Sequence, residues 1–234
     1  MCQVAQNRAD SRAHLTKHRL IEAAVALADR EGLAAVSMRR LADELAAGAM
    51  SLYHYVANKE ALLDEMVDVV FSEIDPPSTA VEWKAALRQR AISTRAALRR
   101  HPWALDVMES RMSPGMANLR LHDAMLACLR EAGFSVEDAV HAYSVQDSYI
   151  YGFALQEKNL PFSTREEAAQ IGEMMIEQFR PLADQFPHTF EVVGGYIAQG
   201  GYDPTTEFTF GLDLILAGLD GLRETQPAPE PPSA

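Results

Sequence analysis

Apolar residues recur at helical spacing through most of the chain, and polar capping residues mark where each run begins. After an unpatterned polar stretch over residues 1–14, Thr16 is placed to cap a helix. Its Leu20, Ile21, Ala24, Leu27 and Ala28 share one face until Gly32 ends it. Ser37 caps a short second helix with Leu41, Ala42 and Leu45 on one face, and the small residues Ala46, Ala47 and Gly48 then permit a tight turn. A third short helix follows over about 49–55, and Asn58 caps a long fourth helix running to about Glu73. Two helices joined by so short a turn, the second very short, form the helix-turn-helix pattern, with Leu52, Tyr55 and Val56 expected in its core.

Further on, the spacing predicts a helix over about 80–100, a short piece from Pro102 to Ser110, and a helix from Ser113-Pro114 to Gly133 with proline at the favoured first position. Ser135 with Asp138 caps a long helix over 136–158. Ser163-Thr164-Arg165-Glu166 reads as a capping box for another, to about Phe179, and the last helix covers about 205–224. Residues 181–203 are rich in proline and glycine, with Gly-Gly-Tyr repeated at Gly194 and Gly200. Two readings stand there, a flexible loop or a mobile lid. The proline-rich tail, 226–234, is expected to be disordered.

With 48% hydrophobic residues in 234, the chain has material for a substantial core. The net charge of −12 argues at first against a nucleic-acid partner, but its distribution reverses that. Residues 1–59 hold eight Lys/Arg against six Asp/Glu, whereas residues 60–234 hold 13 against 27, so only the first part suits DNA. Cys2 and Cys128 are too few for a disulfide framework and lack metal-ligand neighbours, which points to a reducing cytoplasm. With no signal-like run and no long uncharged apolar stretch, neither secretion nor a membrane span is expected.

Two segments carry a specific resemblance. Ser-Met-Arg-Arg-Leu-Ala-Asp-Glu-Leu from Ser37, then Ser51-Leu52-Tyr53-His54-Tyr55-Val56-Ala57-Asn58-Lys59-Glu60-Ala61-Leu62-Leu63, resemble the DNA-binding domain of TetR-family regulators. The later part is similar to the tetracycline-repressor branch, through Gly133-Phe134-Ser135 and Phe208-Thr209-Phe210-Gly211-Leu212-Asp213-Leu214-Ile215. One departure is Ala46, where the family commonly has glycine; Gly48 stands two positions later.

The resemblance implies an all-α fold: a three-helix DNA-binding domain with a helix-turn-helix, plus a larger helical domain for ligand binding and dimerisation. The expected boundaries are 1–14 for a flexible arm, 15–75 for the DNA-binding domain and 76–225 for the second domain. Tyr53 and Lys59 match phosphate-contacting positions, though a core-edge tyrosine and a solvated lysine are the plainer readings. Arg39 matches a position able to reach a base edge, where a guanidinium can pair with guanine; the plain reading is an exposed surface arginine. Ala49, Met50, Ser51 and His54 would face the major groove: Ser51 as a hydrogen-bonding group, Ala49 or Met50 on a thymine methyl, His54 against the backbone. With no long bidentate reader on that helix, specificity leans on Arg39, apolar contacts and DNA shape.

Helices 136–158 and 205–224 are apolar over more than one face, and Gly211, Ala217, Gly218 and Gly221 allow close backbone approach. In the family the matching helices form a homodimer bundle, which also suits palindromic operator DNA. For a small, largely apolar or aromatic effector, the candidate contacts are Trp103, Met108, Met112, Met116, Ile150, Phe153, Met174, Met175 and Phe179, with Gln146 and Asp147 as polar contacts. Many methionines and aromatics at this spacing are plain core, and the two polar residues also suit pairing across a dimer. The metal-binding groups of the tetracycline branch are replaced: Asp75 and Ser148 stand for histidines and Gln156 for a carboxylate. No metal, no cofactor and no magnesium-tetracycline ligand is therefore expected.

Three function classes are open to such a chain. An enzyme lacks support, because no G-x-S-x-G, phosphate loop, H-E-x-x-H or paired-cysteine motif occurs and the seven histidines are scattered. A ligand carrier whose DNA domain has lost function is disfavoured by the retention of Arg39, Tyr53 and Lys59. A repressor released by a small molecule is the leading expectation, with activation as its alternative.

Overall fold

The computed structural model describes residues 15–108 and 115–224, in two compact units divided after Cys128. The expected arm and tail and the Ser113-Pro114 helix start lie outside the described residues. Every regular element described is helical, and no helix among them is long and apolar enough to cross a membrane.

The first unit opens with α1 (Lys17–Glu31), capped by the Thr16 hydroxyl accepting from the Arg19 amide at 3.2 Å and ended by Gly32 at φ +81°. Its Leu20, Ala24, Leu27 and Ala28 are buried, a stripe that repeats every three to four residues. α2 (Met38–Glu44) starts on the Ser37 cap and buries Leu41 and Ala42; α3 (Ala49–Leu52) is shorter than the spacing suggested. The amides of Tyr55 and Val56 both return to the Leu52 carbonyl, so the chain tightens past α3 instead of extending its helix to Tyr55. Leu52 and Val56 are buried, and the half-buried Tyr55 donates its hydroxyl to the Leu15 carbonyl at 2.6 Å.

α2 ends in a Schellman motif: the Ala47 amide donates to Ala42 O at 2.9 Å and the Ala46 amide to Asp43 O at 3.3 Å. The left-handed residue is Ala46, at φ +49°, whereas Gly48 sits at φ −79° and needs no glycine conformation. A left-handed alanine costs about 1–2 kcal/mol and a glycine adds about 0.4–1 kcal/mol of unfolded-state entropy. Ala46→Gly should therefore stabilise the chain by about 0.5 kcal/mol, and Ala46→Val should destabilise it by more than about 1 kcal/mol, read by denaturant unfolding.

α4 (Lys59–Ser72) starts where Asn58 Oδ1 accepts from the Ala61 amide at 2.8 Å, and buries Leu62, Leu63, Met66, Val67, Val70 and Phe71. α5 (Trp83–Arg100) begins at Glu82 and runs into a 3-10 turn (Pro102–Ala104) and α6 (Leu105–Met108). α7 (Met116–Glu131) follows, contributing Leu121, Met125 and Cys128 to the core.

The second unit holds α8 (Val136–Lys158), α9 (Arg165–Phe179), a 3-10 turn (Arg180–Leu182), α10 (Pro187–Val192), a π-helical turn (Val193–Ile197) and α11 (Pro204–Glu224). Ser135 caps α8 by accepting from the Asp138 amide at 2.9 Å. The capping box of α9 sits one residue later than its sequence suggested. Thr164 is the cap, and Glu167, not Glu166, returns to the backbone amides of Ser163 and Thr164 at 2.7 and 3.2 Å.

Residues 181–203 are mostly helical, not an open loop. Pro187 opens α10, Phe186 and Phe190 turn onto an apolar cavity, and Gly172 of α9 lets the backbone of Ala198 approach so closely that a Cβ would lie 2.9 Å from its nitrogen. The Tyr196 hydroxyl donates to Glu207 at 2.7 Å, which fastens the segment to α11. α8 and α11 pack together through Tyr149, Phe153 and Phe208, whose ring centroids lie 5.1–6.0 Å apart.

Candidate nucleic-acid interface

Five Lys/Arg side chains of α1 and α2 could compete for a phosphate backbone, and the fold pairs three of them with carboxylates. Lys17 pairs with Glu65 at 2.5 Å, Arg30 with Glu44 at 2.7 Å and Arg40 with Glu31 at 2.7 Å. Each such surface pair adds little stability, but together they select the residues left to act outwards. Among the described residues of this region, Arg39 and Lys59 are the exposed cations that no acidic group engages. They are also the two that the sequence motif singles out.

Around them, Met50 is 78% exposed and Tyr53 45% exposed, and His54 is exposed as well. An exposed methionine at the start of a short helix has no packing reason to be there, and its thioether suits a thymine methyl. Ala49 is half-buried. Ser51 is half-buried too, and its hydroxyl donates to the Gly48 carbonyl at 2.6 Å, so towards DNA it has acceptor capacity to offer before donor capacity. Lys59 stands at the first position of α4, where helix amides and dipole favour an anion. Arg39→Ala should relax preference at one base pair per half-site by about 1–3 kcal/mol and leave the fold intact; equal weakening on all operator variants would make Arg39 a phosphate contact.

The expected effector residues fall in both units, and Met112 lies outside the described residues. In the first unit Trp103 is 3% exposed with its indole N–H donated to Asp29 at 2.7 Å, Met108 is half-buried and Met116 is 60% exposed. In the second, Gln146, Asp147 and Ile150 are buried on α8 and Phe153 belongs to the aromatic cluster. Met175 and Phe179 line a cavity of about 170 Å³ together with Ile176, Leu182, Phe186, Thr189, Phe190 and Val193; Met174, one residue away, is 59% exposed. Thr189 supplies the only hydroxyl of that lining. Asp75, where the tetracycline branch has histidine, is held by α5: its amide donates to Ser93 Oγ at 2.9 Å and its carboxylate accepts from Gln89 at 3.4 Å.

One cluster leaves no signal in the sequence. The buried His101 places Nδ1 2.8 Å from Asp29 of α1 and Nε2 3.2 Å from Glu73, the residue closing α4, while Arg100 donates two hydrogen bonds to Glu73 at 3.0 and 2.7 Å. Burial alone would raise the Glu73 carboxyl; the hydrogen bonds and charges of Arg100 and His101 outweigh it and hold the group below its ordinary value. The end of α5 is thereby tied to both helices that flank the reading motif.

Comparison with known proteins agrees with this arrangement. Residues 20–66 match the family model described as bacterial regulatory proteins, tetR family, and residues 76–223 match the tetracyclin repressor-like C-terminal domain. The HTH-type transcriptional repressor DrrR1 of Streptomyces coeruleorubidus is 36% identical over 211 residues, covering 89% of this chain and 78% of the relative. The tetracycline repressor protein class C of Escherichia coli is 28% identical over 214 residues, 90% of this chain and 93% of the relative. The crystal structure of ActR of Streptomyces coelicolor in complex with actinorhodin superposes with a TM-score of 0.75 at 28% identity, over 89% of this chain and 97% of that one. Both family models match in chain order, the first on the helix-turn-helix with its outward cations and the second on the helical remainder, and the chain belongs to the TetR family of bacterial transcriptional regulators.

Proposed function

We propose that this chain is a repressor that binds palindromic operator DNA as a homodimer and is released by a small, largely apolar or aromatic effector. The observation that carries the DNA half is the selective exposure of Arg39 and Lys59 beside Met50 and Tyr53, while neighbouring cations are spent on internal ion pairs. In this reading residues 15–75 form the DNA-binding domain and 76–225 the effector and dimer domain.

Support for the dimer comes from the outward faces of α8 and α11. Along α11, Phe208, Leu212, Leu216 and Leu219 are buried, whereas Phe210 and Leu214 are 64% and 60% exposed, and a Cβ on Gly218 or Gly221 would meet nothing within 4 Å. On α8, Val136, Val140 and Leu155 share one side and are exposed in the same way. Two apolar helical faces with small residues at regular spacing suit a bundle formed with a second copy.

The effector class is supported by the cavity between α9 and α10, whose three phenylalanines, methionine and aliphatic side chains favour an apolar or aromatic ring over a charged one. Two relatives carry names that fit this class: a tetracycline repressor, and ActR solved with actinorhodin.

The DNA half is tested with a duplex from the promoter upstream of the chain's own gene. Lys59→Ala should weaken binding to every sequence alike and make the logarithmic salt slope shallower by roughly 1 per protomer. An unchanged slope would remove Lys59 from the phosphate contacts.

A further inference from the structure

Gly115 stands at the N-cap position of α7, its carbonyl accepting from the Leu119 amide at 3.0 Å, and has no side chain with which to cap the helix. The cap is supplied from another element. Asp68, half-buried on α4, accepts from the backbone amides of Ala117 at 2.8 Å and Asn118 at 3.3 Å with the same carboxylate oxygen. These are the second and third residues after Gly115, the amides a capping side chain normally serves. A second observation confirms the fit: a Cβ at position 115 would fall 2.0 Å from that carboxylate oxygen and 2.2 Å from its carbon. Only glycine leaves room for Asp68, so residues 47 positions apart in sequence are chosen for one another.

We propose that Asp68 is a positioning residue that transmits operator occupancy from α4 to α7. This deepens the DNA-binding reading above and rests on it. α4 begins at Lys59, beside the recognition helix, and its hydrophobic face packs without direction; the Asp68 carboxylate is a directional contact, charge-assisted and specific to two amides. A shift of α4 along or about its axis on binding DNA changes that geometry before it disturbs the apolar packing. The first turn of α7 therefore registers whether the operator is occupied, and by reciprocity any ligand that displaces α7 from Asp68 alters operator affinity.

The test is amide hydrogen exchange at Ala117 and Asn118 in the full chain, free and bound to the promoter duplex. In wild type, DNA should change exchange at these two amides by about fivefold or more. In Asp68→Ala the change should vanish although the duplex still binds, and Gly115→Ala, which expels the carboxylate without altering any charge, should reproduce it. Asp68→Asn keeps an acceptor oxygen and should retain part of the response. Operator affinity supplies an independent sign. Removing a negative charge would tighten binding to phosphate by electrostatics alone, whereas loss of the contact should weaken it about fivefold in both Asp68→Ala and Gly115→Ala. A DNA response at α7 that is absent in wild type, or that survives in both variants, overturns the proposal. A wild-type chain that gives no shift with the duplex overturns the DNA-binding reading and this proposal with it.

Discussion

Replacing Phe210 and Leu214 together by aspartate should convert a dimer into a monomer in sedimentation velocity and reduce operator affinity by at least about 100-fold. Both side chains are exposed in the single chain, so neither contributes to the core of its own unit, and the aromatic cluster around Phe208 should persist. Interface anchors of this kind are worth about 2–4 kcal/mol each, and burying a carboxylate where they stood costs more. The operator effect follows because two half-sites are gripped together only by two linked heads. Unchanged sedimentation would exclude this face of α11 from the interface.

The second large effect is expected at the junction of α1, α4 and α5. Removing His101 leaves the carboxylates of Asp29 and Glu73 facing one another's surroundings without the ring that joins them. Breaking one partner of a buried pair costs about 3–5 kcal/mol, and the partial exposure of Asp29 and Glu73, 29% and 33%, lowers that here. His101→Ala should cost about 2–3 kcal/mol, a fall in Tm of about 5–10 °C for a chain of this size. The same junction sets a pH dependence. The Glu73 carboxyl is held below its ordinary value when folded, so its contribution is complete above the ordinary carboxylate range and is lost as pH falls through the folded value. Glu73→Gln should accordingly lose less stability on acidification than wild type does.

Local signals in the sequence placed most helix starts, because a cap is a short-range contact: Thr16, Ser37, Asn58 and Ser135 each accept from an amide three residues on. The Thr164 box was displaced by one residue because Glu166 and Glu167 are chemically alike and only the backbone register separates them. Residues 181–203 misled by composition. Proline and glycine usually end helices, but Pro187 begins one, and Gly194 and Gly195 lie in a π-helical turn. The contacts that bind α4 to its surroundings left almost no trace in sequence. Asp68 and Ala117 are 49 residues apart, Glu73 and His101 28 apart, and nothing in the local spacing of either pair announces the other. On the reading face the motif pointed to Arg39 and Lys59, but only the ion pairs of Arg30, Arg40 and Lys17 show why these two remain available.

Two copies of this chain should read one operator through exposed residues of a helix-turn-helix. This is tested most directly by titrating the promoter duplex and a scrambled duplex of equal length while the mass of the complex is measured. Two protomers per duplex, with an affinity at least about 10³-fold above that for the scrambled sequence at physiological salt, is the result expected. Equal affinity for both duplexes, or a single protomer on the preferred one, would contradict it.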